Sequence, residues 1–164
     1  MSIVTSLANS VPDLNYEYHT ITIDSIGDGT SANTFTCYLQ QPLKNVVQAT
    51  LLGARIRTTS ATEHCYVSID ELGSNFSDHT SNVLDGQASM SILRNSFASL
   101  VSDAGTVIKY RSEYPVFTQY IDPIRRLDRF TVTIRNQDGN TITRATAADK
   151  NFLVLRFMCR KSNL

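Results

Sequence analysis

The clearest fold signal in the chain is the stretch LDRFTVTIRNQDGNTIT at residues 127–143. Phe130, Val132 and Ile134 alternate there with polar residues, which is the period of a strand that buries one of its two faces. An Asp-Gly dipeptide at 138–139 follows, and it tolerates the positive φ angles of a type I′ turn, whose twist matches that of the flanking strands. The stretch therefore predicts a β-hairpin.

The same period of two recurs along the chain in short runs separated by Gly, Asp, Asn, Ser and Pro, a pattern typical of half-buried antiparallel strands. In the run that begins at Val46, the apolar parity shifts beyond Gly53, which predicts a β-bulge there. The predicted strands are Tyr16 to Ile23, Thr34 to Leu39, Val46 to Arg57, His64 to Leu72, Thr106 to Phe117, Leu127 to Arg135 and Phe152 to Cys159.

The segment Met90 to Val101 fits both a helical face and a strand parity, and its neighbouring strands and serines favour a strand. The connections are too short for parallel crossovers, which need about a dozen residues or more. We therefore predict an all-β fold, a single antiparallel β-sandwich or jelly roll of about eight strands. The length of 164 residues fits one domain, over residues 15–164, preceded by an N-terminal arm at 1–14.

The charge balance argues against nonspecific nucleic-acid binding, which requires an excess of basic residues to neutralise phosphates. Lys and Arg number 15 and Asp and Glu also number 15, so the net charge is zero. A neutral chain also lacks a charge-based guard against self-association, which suits an assembly subunit. Two basic groups, interpreted as solvated strand faces and a basic tail, are Arg125, Arg126 and Arg129, and Arg156, Arg160 and Lys161.

The sequence predicts a protein kept in a reducing compartment and without a membrane-spanning segment. No apolar run approaches the roughly 18 residues that a span requires, and Met1 to Val11 lacks the pattern of a signal peptide. The three cysteines cannot all pair within the chain. Cys37, Cys65 and Cys159 fall on the apolar parity of their strands, so we expect free, buried thiols.

No group of residues has the spacing of a catalytic, cofactor-binding or metal site. Neighbouring strand residues face apart, which separates His64 from Cys65 and Asp70 from Glu71. The other candidates are explained by turn chemistry, chance or packing: His19 and His79, Asp24 and Asp28 as calcium ligands, the glycosylation triplet at Asn75, and the tyrosines Tyr16, Tyr18, Tyr38 and Tyr66 as a ligand platform. We predict that there is no catalytic residue, no cofactor and no metal.

Two segments resemble a known family. The stretch YIDPIRRLDRFTVTIR at 120–135, closed by Asp-Gly-Asn at 138–140, resembles the late strand and hairpin of single jelly-roll penton and minor capsid proteins. These belong to large eukaryotic icosahedral DNA viruses, the nucleocytoplasmic large DNA viruses and virophages. The stretch QPLKNV at 41–46 is similar to the early proline corner of the same family.

The resemblance implies a single jelly roll from about Tyr16 onward and a structural, non-enzymatic role in the virion capsid. It implies a position at fivefold vertices, as a homopentamer, or a minor position beside the major capsid protein and other minor capsid proteins. The host cytoplasm would be the place of synthesis. The expected contact segments are the loops at 24–33 and 73–87 and the arm at 1–14.

A non-catalytic ligand- or carbohydrate-binding β-sandwich is the alternative function. It would use the glycine-rich loop that contains Gly27 and Gly29. An enzyme of the cupin type would need clustered histidines, which the sequence lacks.

Overall fold

The computed structural model describes residues 15–25, 34–73, 96–142 and 150–162, with the backbone alone at 102–104 and 111–115. Four strands make up nearly all of this part, which confirms the all-β prediction. They are β1 (Tyr16–Asp24), β2 (Thr34–Ile69), β3 (Ala98–Asn136) and β4 (Phe152–Arg160). One antiparallel sheet contains them in the order β1-β4-β2-β3.

The long strands β2 and β3 replace several of the predicted short ones, because pairing continues where breaks were predicted. β2 continues through Pro42, for example, because its pairing with β3 resumes one residue later, where Leu43 pairs with Leu127. The prediction of about eight separate strands is therefore not confirmed. The predicted start of β1 is confirmed at Tyr16. In the ambiguous segment 90–101, the structure describes residues 96–101, of which Ala98 to Val101 are strand and Ser96 and Phe97 are not.

Register shifts show how such long strands bend. The shift between Leu51 and Gly53 occurs in the pairing of β2 with both neighbours, which confirms the bulge predicted at Gly53. Larger shifts extrude residues 39–42 from β2, opposite Leu127 and Arg129, and residues 120–123 from β3, opposite Val46 and Gln48. Bulges of this kind bend a strand and increase its twist.

β2 bends so far that both of its ends flank one segment of β3. Val132 pairs with Phe35 near the start of β2 and with Ile69 at its end. Phe35 and Ile69 therefore lie two strand spacings apart, roughly 10 Å, although more than thirty residues of extended chain separate them. The middle of β2, at residues 46–55, lies between β4 and β3 instead.

These two regions of the sheet enclose one apolar core. Phe157 of β4 and Phe130 of β3 stack across it with ring centroids 5.5 Å apart, and each is at most 1% exposed. The alternation in β4 places its inward residues in the same cluster, together with those of the other strands. The fully buried members from β4 and the late part of β3 are Leu153, Leu155, Phe157, Cys159, Leu127, Phe130, Val132 and Ile134.

The hairpin after β3 forms as predicted, but its turn type differs. Gly139 has φ 81°, whereas Asp138 does not have the positive φ that a type I′ turn demands. The Gly139 amide donates to the Asn136 carbonyl at 3.0 Å, and the Asn136 amide donates to the Asn140 carbonyl at 2.9 Å. The type I′ prediction is therefore wrong, and the loop is the longer form that places a single glycine in the left-handed region.

The strand predicted to extend to Leu72 ends at Ile69, where Asp70–Leu72 form one turn of 3-10 helix. The arm at 1–14 lies outside the described residues, as do Gly27, Asp28, Gly29, Asn75 and His79 and most of the loops at 24–33 and 73–87.

Candidate functional site

An open cleft of about 320 Å³ lies beside the edge strand β1. On the β1 side, the lining residues share the inward parity of buried Ile23. Their exposure increases toward the start of the strand. Its other side comes from residues 41–44, which include the end of the extruded segment of β2. The cleft lining consists of Glu17, His19, Ile21, Gln41, Pro42, Leu43 and Lys44.

The cleft combines apolar and charged surface. Ile21 packs against the core and Leu43 is 6% exposed. Around them stand carboxylate, imidazole and ammonium groups, and His19 Nε2 lies 3.1 Å from Glu17 Oε1. Such a surface suits an apolar group that is flanked by charges, and sequence reasoning missed it because it joins two segments that are distant along the chain.

A protrusion lies at the opposite edge of the same sheet region. Residues 120–123 leave the β2·β3 pairing, and Ile121 among them is 91% exposed. Tyr120 points the other way, since its hydroxyl donates to the Leu72 carbonyl at 3.2 Å and burial raises its pKa. An aliphatic side chain this exposed gains nothing from the fold of its own chain.

The four tyrosines considered as a ligand platform do not share one environment. Tyr38 is 75% exposed and Tyr18 is 58% exposed, with the Arg156 guanidinium 5.8 Å from its ring centroid. Tyr66 is buried and stacks on His64 at 4.4 Å. Tyr66 is therefore not part of an exposed aromatic surface.

His64 and Cys65 face apart, as predicted. The His64 imidazole bonds to the Ser99 hydroxyl on the outer side, while the Cys65 thiol is fully buried. Within the described ranges, no three His, Cys, Asp or Glu side chains are grouped so as to hold a metal ion.

Glu71 has a structural role that the sequence did not reveal. Its carboxylate accepts bonds from the Thr131 amide at 2.7 Å and the Thr131 hydroxyl at 2.8 Å, and Arg129 Nε lies 3.3 Å away. A side chain thus satisfies a backbone donor of β3 just beyond the end of β2. Because sixty residues separate Glu71 from Thr131, no local pattern could predict the contact.

Asn151, at the start of β4, forms a second set of hydrogen bonds between segments that are distant along the chain. Its side-chain oxygen accepts from the Arg57 amide at 2.8 Å, and its own amide donates to the Ser25 hydroxyl at 3.1 Å. The Ser25 amide donates in turn to the Asn151 carbonyl at 3.2 Å. Asn151 is completely buried, so these bonds replace the water that it loses on folding.

The three cysteines are free thiols with the predicted parity. Burial raises the pKa of Cys65 to about 12. Burial, and next the Glu17 carboxylate, raise that of Cys159 to about 11. Cys37 is half-buried, and its thiol donates to the Asp24 carbonyl at 3.1 Å. Raised pKa values keep these thiols protonated and chemically inert at neutral pH.

Two members of the basic group on β3 pair with carboxylates. Arg129 lies beside Glu71, and Arg126 Nε is 3.4 Å from Asp128. Their charge is compensated locally, which fits the interpretation of a solvated strand face.

Comparison of the chain with models of known protein families and with curated proteins finds no match. In the part of the chain that the structure describes, no helix has the length and apolar character needed to cross a membrane.

Proposed function

We propose that this chain is a structural subunit of an icosahedral virus capsid, with a single jelly-roll fold and a place at the fivefold vertex. The observation that carries the proposal is the nested pairing of the strands. β1 pairs with β4, the start of β2 with the end of β3, and the end of β2 with the start of β3. The chain is thus one long antiparallel hairpin wound around its core.

Winding brings together segments that the hairpin itself does not pair. The middle of β2 meets β4, and the end of β2 meets the end of β3. A jelly roll is a hairpin of eight segments wound in this way into two packed four-stranded layers. In this proposal, β2 and β3 each contribute three of the eight segments, and Phe130 and Phe157 stack between the layers.

The surface also supports an assembly role. Exposed apolar side chains lie at two of the bends: Tyr38 in the part of β2 just before the first bend, and Ile121, which is 91% exposed, in the segment extruded from β3. Isolated exposed apolar residues are common, but an aliphatic residue on an extruded segment favours a contact with another molecule. The zero net charge adds no repulsion between copies.

A vertex subunit must form a closed ring by heterologous contacts, in which one flank of each copy meets the other flank of the next. The proposed partners are four further copies of this chain, then the major capsid protein and other minor capsid proteins. The proposed location is the virion, with synthesis in the host cytoplasm, and the proposed role involves no catalysis.

Native mass spectrometry at micromolar concentration tests this role. We expect a five-subunit species, either for the protein alone or after addition of the major capsid protein. A stable dimer under both conditions would contradict the vertex assignment.

A second candidate is a non-catalytic ligand- or carbohydrate-binding module, and the cleft favours it. Lectins and capsid proteins share the jelly-roll fold, and the cleft presents Glu17, Gln41 and Lys44 beside apolar surface. This function predicts a monomer that binds a sugar in calorimetry and loses binding in Gln41→Ala. Binding that Gln41→Ala leaves unchanged would argue against the cleft as the site.

A further inference from the structure

We infer that the 120–123 protrusion of one copy inserts into the cleft of the next, and that this is the lateral contact of the ring. The inference rests on the proposed function for ring closure. The contact itself is argued from position, shape and charge.

Protrusion and cleft lie at the same level on opposite edges of one sheet region. Glu17 pairs with Cys159, Cys159 with Val46, and Val46 with Ile124, so one row crosses the sheet from cleft to protrusion. The next row runs from His19 through Phe157 and Ala49 to Thr118. Residues 120–123, which form the protrusion, lie in β3 between these two rows, and they have no pairing partner in β2.

Three strand spacings separate the ends of a row, roughly 14 Å. A shift along the row, with a rotation, therefore carries the protrusion of one copy to the cleft of its neighbour. A contact between two different flanks at one level repeats from copy to copy, and it closes into a ring when the rotation divides a full turn.

The two surfaces also match in chemistry. Ile121 is an aliphatic group that the fold of its own chain leaves in water, and the cleft offers Ile21, Pro42 and Leu43 as apolar lining. Its volume of about 320 Å³ exceeds that of one aliphatic side chain, so the tip of the protrusion can enter with its flanking residues.

The charges beside these groups are complementary. Asp122 directly follows Ile121, and Arg125 is exposed three residues further along. The cleft carries Lys44 and Glu17. A copy placed with Ile121 in the cleft can set Asp122 against Lys44 and Arg125 against Glu17, which fixes the orientation of the contact.

Substitutions at Ile121 separate assembly from folding. Because Ile121 is 91% exposed, Ile121→Ser should leave the melting temperature unchanged. It should weaken ring formation by about tenfold or more, since an aliphatic side chain loses its buried environment. Val101→Ser is the matched control, because Val101 is 78% exposed and lies outside the protrusion. Loss of the ring in Val101→Ser, with no loss in Ile121→Ser, would overturn the inference.

Charge reversal tests the orientation. Asp122→Lys and Lys44→Asp should each reduce the fraction of rings, and the double variant should recover it. A double variant as weak as the two single variants combined would overturn the proposed pairing.

Cross-linking tests the contact directly. A double variant with Ile121→Cys and Pro42→Cys, treated with a short bis-maleimide, should give covalent species up to five subunits, whereas the single variants should give none. The raised pKa values of the native buried thiols keep their reaction slow.

The outcomes distinguish this contact from the proposed function. A five-subunit ring that never cross-links overturns the contact and leaves the capsid role standing. Cross-linked species that continue beyond five support the contact and contradict fivefold closure. A protein that stays monomeric and never cross-links, both alone and with the major capsid protein, overturns both. Cross-linking of Pro42→Cys to Leu7→Cys within one chain would assign the cleft to residues 1–14 and overturn the inference.

Discussion

The two faces of residues 129–131 in β3 make different kinds of contact, one apolar and one polar. On the inner face, Phe130 is buried against Phe157 of β4 with ring centroids 5.5 Å apart. On the other face, Arg129 and Thr131 contact the single carboxylate of Glu71. The apolar contact tolerates small shifts, whereas the hydrogen bonds fix direction and distance. The core therefore provides most of the stability, and the hydrogen bonds of Glu71 fix the position of the end of β2 relative to β3.

The largest effect should come from the apolar face. Phe157→Ala should lower the free energy of unfolding by about 3–5 kcal/mol, because it removes a fully buried ring and leaves a cavity. Chemical denaturation monitored by circular dichroism would measure it. Phe117→Ala is the matched control, since that ring is 51% exposed, and an equal cost at both positions would contradict the assignment of the core.

The polar face should give a smaller but distinct effect. Glu71→Gln should cost about 1.5–3 kcal/mol, because the amide lacks the charge opposite Arg129 and presents a donor to Thr131. Hydrogen exchange should show faster exchange of the Thr131 amide in particular. Glu63→Gln changes an exposed carboxylate of β2 and should leave both measurements unchanged.

The turn after β3 tests whether backbone conformation matters as much as contacts. Gly139→Val should cost about 1–2 kcal/mol, because a β-branched residue is strained at φ 81°. Gly139→Asn should cost less, since asparagine enters the left-handed region more readily. Equal melting temperatures for Val and wild type would show that the glycine is not needed in the left-handed conformation.

The smallest effect concerns pH. Burial raises the pKa of Cys65 from 9.0 to about 12, so the folded protein binds more protons than the unfolded chain in that window. The contribution of the Cys65 thiol to the free energy of unfolding is therefore fully present below pH 9, and it is lost as the pH rises toward 12. This thiol should account for about 1 kcal/mol between pH 9 and 10. Cys65→Ala should flatten the slope, whatever its effect on absolute stability, and an unchanged slope would contradict the assignment.

The part of the structure that sequence predicts well depends on parity within one segment. The alternation of Phe130, Val132 and Ile134 correctly gave the buried face of β3, and that of the late residues gave β4. The inward cysteines and the bulge at Gly53 follow from the same rule.

What sequence could not predict are relations between distant segments. Apolar alternation breaks at Pro42 and at residues 120–123, so nothing local shows that pairing resumes beyond these bends. The cleft joins β1 to residues 41–44, and Glu71 reaches a strand sixty residues away. Asn45, with φ 53°, is another case, since its left-handed backbone belongs to a bend whose position depends on the partner strand.

The nested pairing also governs how the protein can be made. Tyr16 pairs with Arg160, so β1 cannot join the sheet until β4 has been synthesised. β4 lies between β1 and β2, and synthesis at about 5–20 residues per second leaves that gap open for roughly 5–25 seconds. During that time the edge of β2 at Val46, Ala49 and Leu51 has no β4 beside it. Pairing between segments so distant in sequence slows folding and prolongs the exposure of unpaired strand edges to aggregation.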